Sequence, residues 1–333
     1  MGFILHEEGD EDMIKGLNKK VSRKGFLKAF LSSLALLSLS KFFPEAASGA
    51  PGGGMSGGRM KKSIKTDHDL VLATGEDPYN TTVKAVEAIG GMERFVKKGD
   101  TVLVKPNIGW DRSPEQAGNT NPQVVAALID MSFKAGAARV NVFDITCNDA
   151  RRCYANSGIE EAAKAHGANV YFPDDWDSVK AHFGHPSPFE GWPVLKDALE
   201  CDTFINVPVL KHHGLTRLTL SMKNLMGVCG GNRGIIHQGI GDKLVDLTGF
   251  INPDLTVIDA HRVLLRNGPT GGDLDDVEKM NKVIVSADPL LADITACGLV
   301  NVEPSKVSYV RVAMERKYGI YDANKADIFE LKV

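Results

Sequence analysis

The chain lacks three things that would each point to a class of protein. Its 333 residues hold only five cysteines, Cys147, Cys153, Cys201, Cys229 and Cys297, and none forms a Cys-x-x-Cys pair. An iron–sulfur cluster bound within this chain is therefore not expected, because cluster ligands come in closely spaced runs. No excess of positive charge is present either: 39 Lys and Arg stand against 42 Asp and Glu, a formal charge of −3. A nucleic-acid partner, which would call for a basic surface, is thereby excluded from the expectation. No apolar run is long enough to span a bilayer. Hydrophobic residues make up 43% and charged residues 24%, ordinary proportions for a globular chain that can bury a sizeable core without metal or disulfide support.

What is present begins with a distinctive N-terminus. Lys19, Lys20, Arg23, Lys24 and Lys28 precede the apolar stretch Ala29 to Ser40, and small residues follow at Ala46-Ala-Ser-Gly-Ala50. A basic flank, a short apolar core and small residues are the three parts of a signal peptide, so residues 1–50 are read as one and the mature chain as exported to the periplasm. If the peptide is not cleaved, it leaves the protein anchored to the membrane. Ser22-Arg-Lys-Gly-Phe-Leu-Lys28 resembles the twin-arginine export motif, with Lys24 in place of the second arginine. The resemblance implies export of a folded, cofactor-bearing protein; the departure at Lys24 leaves the Sec route open. Residues 51–68, opening with Pro51-Gly-Gly-Gly-Met-Ser-Gly-Gly58, are read as a flexible linker and residues 69–333 as one α/β domain.

Within that domain short β-branched runs alternate with segments of helical period. Strands are expected at 71–73, 101–107, 139–144, 169–172, 203–208, 255–259 and 282–286, with helices at 81–96, 123–135, 159–166 and 195–200. Such alternation implies a mostly parallel sheet covered by helices on both faces, interrupted by irregular Gly-rich insertions. One of these is residues 227–241, with six glycines in fifteen positions. Residues 173–193, rich in Pro, His, Trp and Asp, are the candidate lid.

Ligands of open parallel sheets bind beyond the carboxyl ends of the strands. That edge should carry Lys105, Asn107, Asp144, Lys211, His212, His213 and Asp259. Lys223 and Asn224 follow shortly, and His237 lies in the Gly-rich stretch. Buried lysines at such positions suit an anion, so Lys105, Lys211 and Lys223 are the candidate anion-binding and catalytic lysines, with His212 and His237 as acid–base partners. Asn107, Asp144, Asn224, Asp259, Asn267 and Gly268 are candidate ligand-holding residues. His213, His237 and Asp144 form a candidate set for a metal ion, although adjacent His212 and His213 would face opposite ways on a strand. Asp246 is a further candidate partner of His237. Asp288 reads as a helix N-cap, and Asp293 as a residue able to face the pocket. In an oxidising compartment Cys147 and Cys153 could join in a local disulfide.

The strings Val104-Lys-Pro-Asn107, Asn206-Val-Pro-Val-Leu-Lys-His212, Lys223-Asn-Leu-Met-Gly227, Pro253-Asp-Leu-Thr-Val-Ile-Asp259, Asn267-Gly-Pro269 and Ala287-Asp-Pro289 occur in this order. Together they resemble Domain of Unknown Function family 362 over roughly residues 70 to 330. The resemblance implies redox or anaerobic metabolism and a redox partner protein, since many members carry iron–sulfur modules; this chain lacks the Cys-rich module. A more distant likeness is to the nickel-pincer lactate racemases, whose site also combines lysine and histidine. The expected function is an enzyme acting on a small anionic substrate or cofactor by acid–base, redox or metal chemistry. The alternative is a periplasmic carrier or maturation protein without turnover.

Overall fold

The computed structural model describes residues 58–173 and 177–333, so the expected signal peptide lies outside the described residues. The end of the expected linker does not hang free. Arg59 is buried, its guanidinium pairs with Asp254 at 2.5 Å, and its backbone N–H donates to Phe250 O at 2.9 Å. Residues 58–68 thus pack against the domain.

The chain runs β1 (Leu70–Thr74), α1 (Pro78–Ala88), β2 (Thr101–Pro106), α2 (Pro122–Lys134), β3 (Arg139–Val142), α3 (Ala150–Asn156), α4 (Ile159–Ala165) and β4 (Asn169–Val170). A small hairpin, β5 (Ser178–Lys180) with β6 (Pro193–Leu195), precedes α5 (Lys196–Glu200). Next come β7 (Thr203–Val207), β8 (Val209–His213), β9 (Arg217–Thr219), α6 (Ser221–Asn224) and α7 (Ile240–Ile251). The chain closes with β10 (Leu255–Leu264), β11 (Val277–Ser286), α8 (Pro289–Leu299), α9 (Ser308–Glu315) and β12 (Ile328–Lys332).

The main sheet has the order β12-β1-β11-β10-β7-β2-β3-β4, with β8 paired to the far half of β10 and β9 to β8. Every pairing from β10 through β4 is parallel, as is β1 with β12; β11 runs antiparallel to both its neighbours. The expected fold class, a mostly parallel sheet with helices on both faces, is what the chain adopts. Strand alternation explains the two cores: Val102 and Val104 point to one side with Val140, Val142, Val124 and Leu128, while Leu103 points to the other with Phe204, Leu244 and Leu291. Helices α1, α2 and α4 cover the first face and α7, α8 and α9 the second.

Local chemistry sets the helix starts. Asp77 and Asn121 cap α1 and α2, each accepting a bond from a first-turn N–H and each followed by a proline that is preset for the helix. Asp288 caps α8 in the same way, accepting from Leu290 N at 2.9 Å and Leu291 N at 3.0 Å. The expected helix over 81–96 ends earlier, at Ala88, because the glycines Gly90 and Gly91 take positive φ and turn the chain.

Candidate functional site

At the carboxyl edge of β2, β3 and β7 lies a cavity of about 620 Å³. Of the residues expected there, Lys105, Asn107, Asp144, Lys211, His213, Lys223, Asn224, His237 and Gly268 line it together. They come from five separated stretches of chain: the end of β2, the end of β3, β8, the segment from α6 to His237, and the loop at Gly268.

Lys105 is fully buried at the end of β2. Its ammonium lies 2.8 Å from Asp144 Oδ1, a close ion pair, and donates to Asn224 O at 2.7 Å and Pro106 O at 2.9 Å. Burial lowers its pKa, opposed by Asp144. Asp144 accepts a second contact from Ile108 N at 2.6 Å. The side chain of Asn224 ties the centre together, accepting from Lys105 Nζ at 3.1 Å and Asn107 Nδ2 at 3.2 Å while donating to Asn206 Oδ1 at 2.9 Å. Gly227 closes over this pair: a Cβ there would stand 1.7 Å from Asp144 Oδ1.

Lys211 and Lys223 differ from Lys105 in having no carboxylate partner among the described residues. Lys211, on β8, donates to Gly118 O at 2.6 Å and Asn107 Oδ1 at 3.2 Å, with its ammonium 5.9 Å from the centre of the Trp110 ring. Burial pushes its pKa down to about 7. Lys223, on α6, has no oxygen acceptor among the described residues; His237 Nε2 at 3.4 Å and Met226 Sδ at 3.6 Å are its polar neighbours. Burial brings it down to about 8, with help from the Arg233 charge. His213 is held near 3 by burial and by Lys223, and so is a neutral imidazole at physiological pH. Four cationic side chains, Lys105, Lys211, Lys223 and Arg233, thus face one carboxylate, Asp144, around this cavity.

The metal set does not assemble. His213 and His237 stack with ring centres 5.7 Å apart, and Asp144 is engaged by Lys105. Among the described residues no three His, Cys, Asp or Glu side chains converge as metal ligands. The cysteines are all free; Cys147 is exposed and the other four are buried, so Cys147 and Cys153 are not joined. These donors fit neither a metal ion nor an iron–sulfur cluster.

Three expected ligand-holding or acid–base residues sit outside the cavity. His212 faces away from His213 on β8, as strand alternation requires, and its Nδ1 accepts from Gly268 N at 3.1 Å, fixing the loop that reaches the site. Asp259 is not at a strand end, because β10 continues to Leu264; its carboxylate accepts from Asn121 N at 2.7 Å and His261 N at 3.0 Å. Asn267 donates to Asp276 Oδ2 at 2.7 Å and shapes its own turn. Asp246 pairs with Arg316 at 2.6 Å rather than with His237. Asp293 does not face the cavity: it accepts from Ser221 N at 2.7 Å and Met222 N at 3.2 Å, capping the short helix that carries Lys223. The candidate lid packs elsewhere. No described side chain of 173–193 lines the cavity, and Trp192 stacks on Phe189 while donating to Gly230 O at 3.1 Å.

Sequence reasoning passed over Trp110 and Arg233. Trp110 follows Asn107 by three residues, and Arg233 is the one cation within the Gly-rich 227–241 stretch, so both signals were readable. Arg233 donates to Ile145 O at 2.8 Å and Thr146 O at 2.5 Å, which clamps that stretch over the end of β3.

Comparison with known proteins gives three findings. The thylakoid-associated protein sll1697 of Synechocystis sp. is 28% identical over 249 residues, spanning 71% of this chain and 73% of that protein. The lactate racemase apoprotein from Thermoanaerobacterium thermosaccharolyticum superposes with a TM-score of 0.44 at 12% identity over 71% of this chain. The chain spans only 57% of the racemase, a likeness too loose to carry chemistry across. The family described as domain of unknown function (DUF362) matches residues 102–298, which include every residue lining the cavity, from Lys105 to Pro269, and the chain belongs to that family.

Proposed function

We propose that this chain is an exported enzyme that binds a small anionic substrate or cofactor in the cavity and transfers a proton on it. The observation that carries the reading is the uncompensated charge: Lys211 and Lys223 are buried, yet neither has a carboxylate partner among the described residues. Burying a cation without a counter-charge is costly, and an anionic ligand would offset that cost. With its pKa near 7, Lys211 is partly a free amine at neutral pH and able to take a proton. Lys223, near 8, stays mostly protonated and can hold a carboxylate or a developing enolate. The Asn107 amide, whose Nδ2 has one N–H left after its bond to Asn224, supplies a hydrogen bond that orients the ligand, while Asn224 is engaged within the protein.

Calorimetric titration of the full-length protein with inorganic phosphate and a panel of small hydroxy- and keto-acids tests the binding step. Saturable binding that Lys211→Met weakens at least tenfold supports it; heats unchanged by that substitution would remove the cavity from the function.

A carrier without turnover is the second reading, and one observation favours it. Leu215 lines the cavity at 78% exposure, and Ile235, on the arm between Gly234 and His237, is 45% exposed. An apolar rim around a charged cavity suits handover to a partner protein, a redox partner included. Retention of one ligand per chain through purification, with no product formed, would favour the carrier. Export, by the twin-arginine or the Sec machinery, is tested by cell fractionation with N-terminal sequencing of the recovered chain. Recovery of the chain in the cytoplasm with residues 1–50 intact would overturn it.

A further inference from the structure

The main sheet stops at an open edge. Among the described residues β12 pairs with β1 and with no other strand, so one row of its backbone groups has no partner there. Two bonds at the ends of that ladder fix which row: Leu70 N–H donates to Asp327 O at 3.2 Å, and Val333 N–H donates to Thr74 O at 2.9 Å. Alternate residues of a parallel strand bond the same neighbour. The backbone of residues 327, 329, 331 and 333 therefore engages β1, while the N–H and C=O groups of Ile328, Glu330 and Lys332 point outward. The side chains alternate as well. Phe329, Leu331 and Val333 share one face, with Phe329 38% and Val333 44% exposed. The Phe329 ring is set in place by stacking on His68, ring centres 4.7 Å apart. On the other face Glu330 and Lys332 are exposed, and neither pairs with an opposite charge among the described residues.

We infer that this edge is the interface between two copies of the chain, whose β12 strands pair antiparallel about a two-fold axis at Leu331. The register follows from the strand itself. Only outward-pointing residues can exchange backbone bonds, so the axis must pass through a residue, and each choice sets different side chains opposite one another. An axis at Leu331 places Glu330 opposite Lys332 of the second copy, twice, with backbone bonds exchanged in both pairs. On the other face it places Phe329 against Val333 of the second copy, twice, and Leu331 against itself, which closes the exposed apolar stripe. An axis at Glu330 or at Lys332 would oppose like charges, and one at Phe329 would set Leu331 against Asp327. A lysine on an edge strand ordinarily repels an incoming strand. The glutamate two residues before it turns that repulsion into attraction for a copy of the same strand in this register. Because the contact is the same patch on both copies, it closes at two. The strand has only 5 residues, so the contact lies at the small end of specific interfaces, below roughly 1,200 Å², and the dimer is expected to dissociate in the micromolar range.

Analytical ultracentrifugation of the full-length protein, from low-micromolar to near-millimolar concentration, measures the association. A monomer–dimer equilibrium is expected. Glu330→Lys and Lys332→Glu each set two like-charged pairs across the axis and should each weaken the dimer on the order of tenfold. The double swap, Glu330→Lys with Lys332→Glu, rebuilds both pairs and should restore it, which separates the register from a general loss of folding. Leu331→Cys gives a second reading. Residues opposite one another in a non-hydrogen-bonded pair have Cα atoms roughly 4.5 Å apart, within disulfide reach. Under mild oxidation Leu331→Cys should join two chains through residue 331, identified by peptide mass spectrometry, whereas Phe329→Cys, opposite Val333 of the second copy, should not join to itself. A protein that stays monomeric across the whole range overturns the inference. So does a dimer indifferent to both charge reversals, and so does one that oxidation of Leu331→Cys fails to trap, since its contact lies elsewhere.

Discussion

A methyl group at Gly227 should separate the buried Lys105–Asp144 pair. The added Cβ would lie 1.7 Å from Asp144 Oδ1 and 2.5 Å from Lys105 Nζ, against the 3.0 Å below which real Cβ contacts essentially never fall. Neither side chain has room to give way. Lys105 is held by Pro106 O and Asn224 O, and Asp144 by Ile108 N. Forcing a methyl into a packed interior costs about 1–3 kcal/mol, and with a buried ion pair in its way Gly227→Ala is expected at the top of that range, about 3 kcal/mol. For a domain of this size that lowers the unfolding temperature by roughly 6–12 °C. Thermal unfolding followed by circular dichroism measures it, with Gly214→Ala as the control, since a Cβ there meets nothing nearer than Gly268 O at 3.9 Å. In an Asp144→Ala background the same methyl should cost at least 1 kcal/mol less, because the oxygen it strikes has been removed. A Gly227→Ala protein that melts within 2 °C of the parent, or a methyl whose cost is unchanged without Asp144, would refute the packing argument.

Other expectations follow from the same geometry. Gly268→Ala would place a Cβ 2.0 Å from the His212 backbone oxygen, so the loop must move off β8; limited proteolysis should cut near 268 faster than in the parent. Asp293→Ala removes the acceptor for Ser221 N and Met222 N and should cost about 1–2 kcal/mol in chemical denaturation, whereas Asp293→Asn, which keeps an acceptor, should cost less. Ligand-free stability should rise with pH between about 7 and 10.5. Lys211 binds its proton below 7 in the folded chain but up to 10.5 when unfolded, so over that window the unfolded state holds the extra proton. Below pH 7 both states are protonated and the full penalty of the buried ammonium is in place. Urea titrations across pH 6 to 10 should trace this slope, and Lys211→Met should flatten it. Phosphate binding should run the opposite way, weakening above pH 7 to 8 as Lys211 and Lys223 discharge.

How much of this was legible in the chain depended on where the physical signal was local. The β2 and β7 strands announce themselves as β-branched runs buried on both faces, and the lysine at the end of β2 follows from the rule for parallel sheets. Strand β8 was not legible. Val209–His213 carries Lys211, His212 and His213, a composition that reads as a loop, and it is held as a strand by pairing with β10 and β9. Asp259 illustrates the converse error. The apolar run ends there, but the strand goes on through Ala260, His261 and Arg262 because β11 and β8 supply partners beyond it. Asp293 was visible as a carboxylate on a helix; that it turns to α6 and not to the cavity depends on the packing of α8 beside α6. Long-range pairing of this kind leaves no periodic mark in the sequence.

The arrangement of the three lysines assigns them different tasks. Lys105 has a carboxylate and two carbonyls, so its charge is neutralised within the protein and it serves to hold the β2, β3 and α6 ends together. Among the described residues Lys211 has two oxygens and no counter-charge, and Lys223 has neither. Along this series the described residues supply less of the compensation. On the anion-binding proposal, an anion that entered would relieve the cost of keeping Lys211 and Lys223 buried, and ligand occupancy, protonation of these two amines and domain stability would be one linked equilibrium. A cavity built only for structure would have resolved that charge with a second carboxylate. Among the described residues no oxygen accepts from Lys223, whose amine meets His237 Nε2 and Met226 Sδ in a cavity also lined by Trp110 and Cys147.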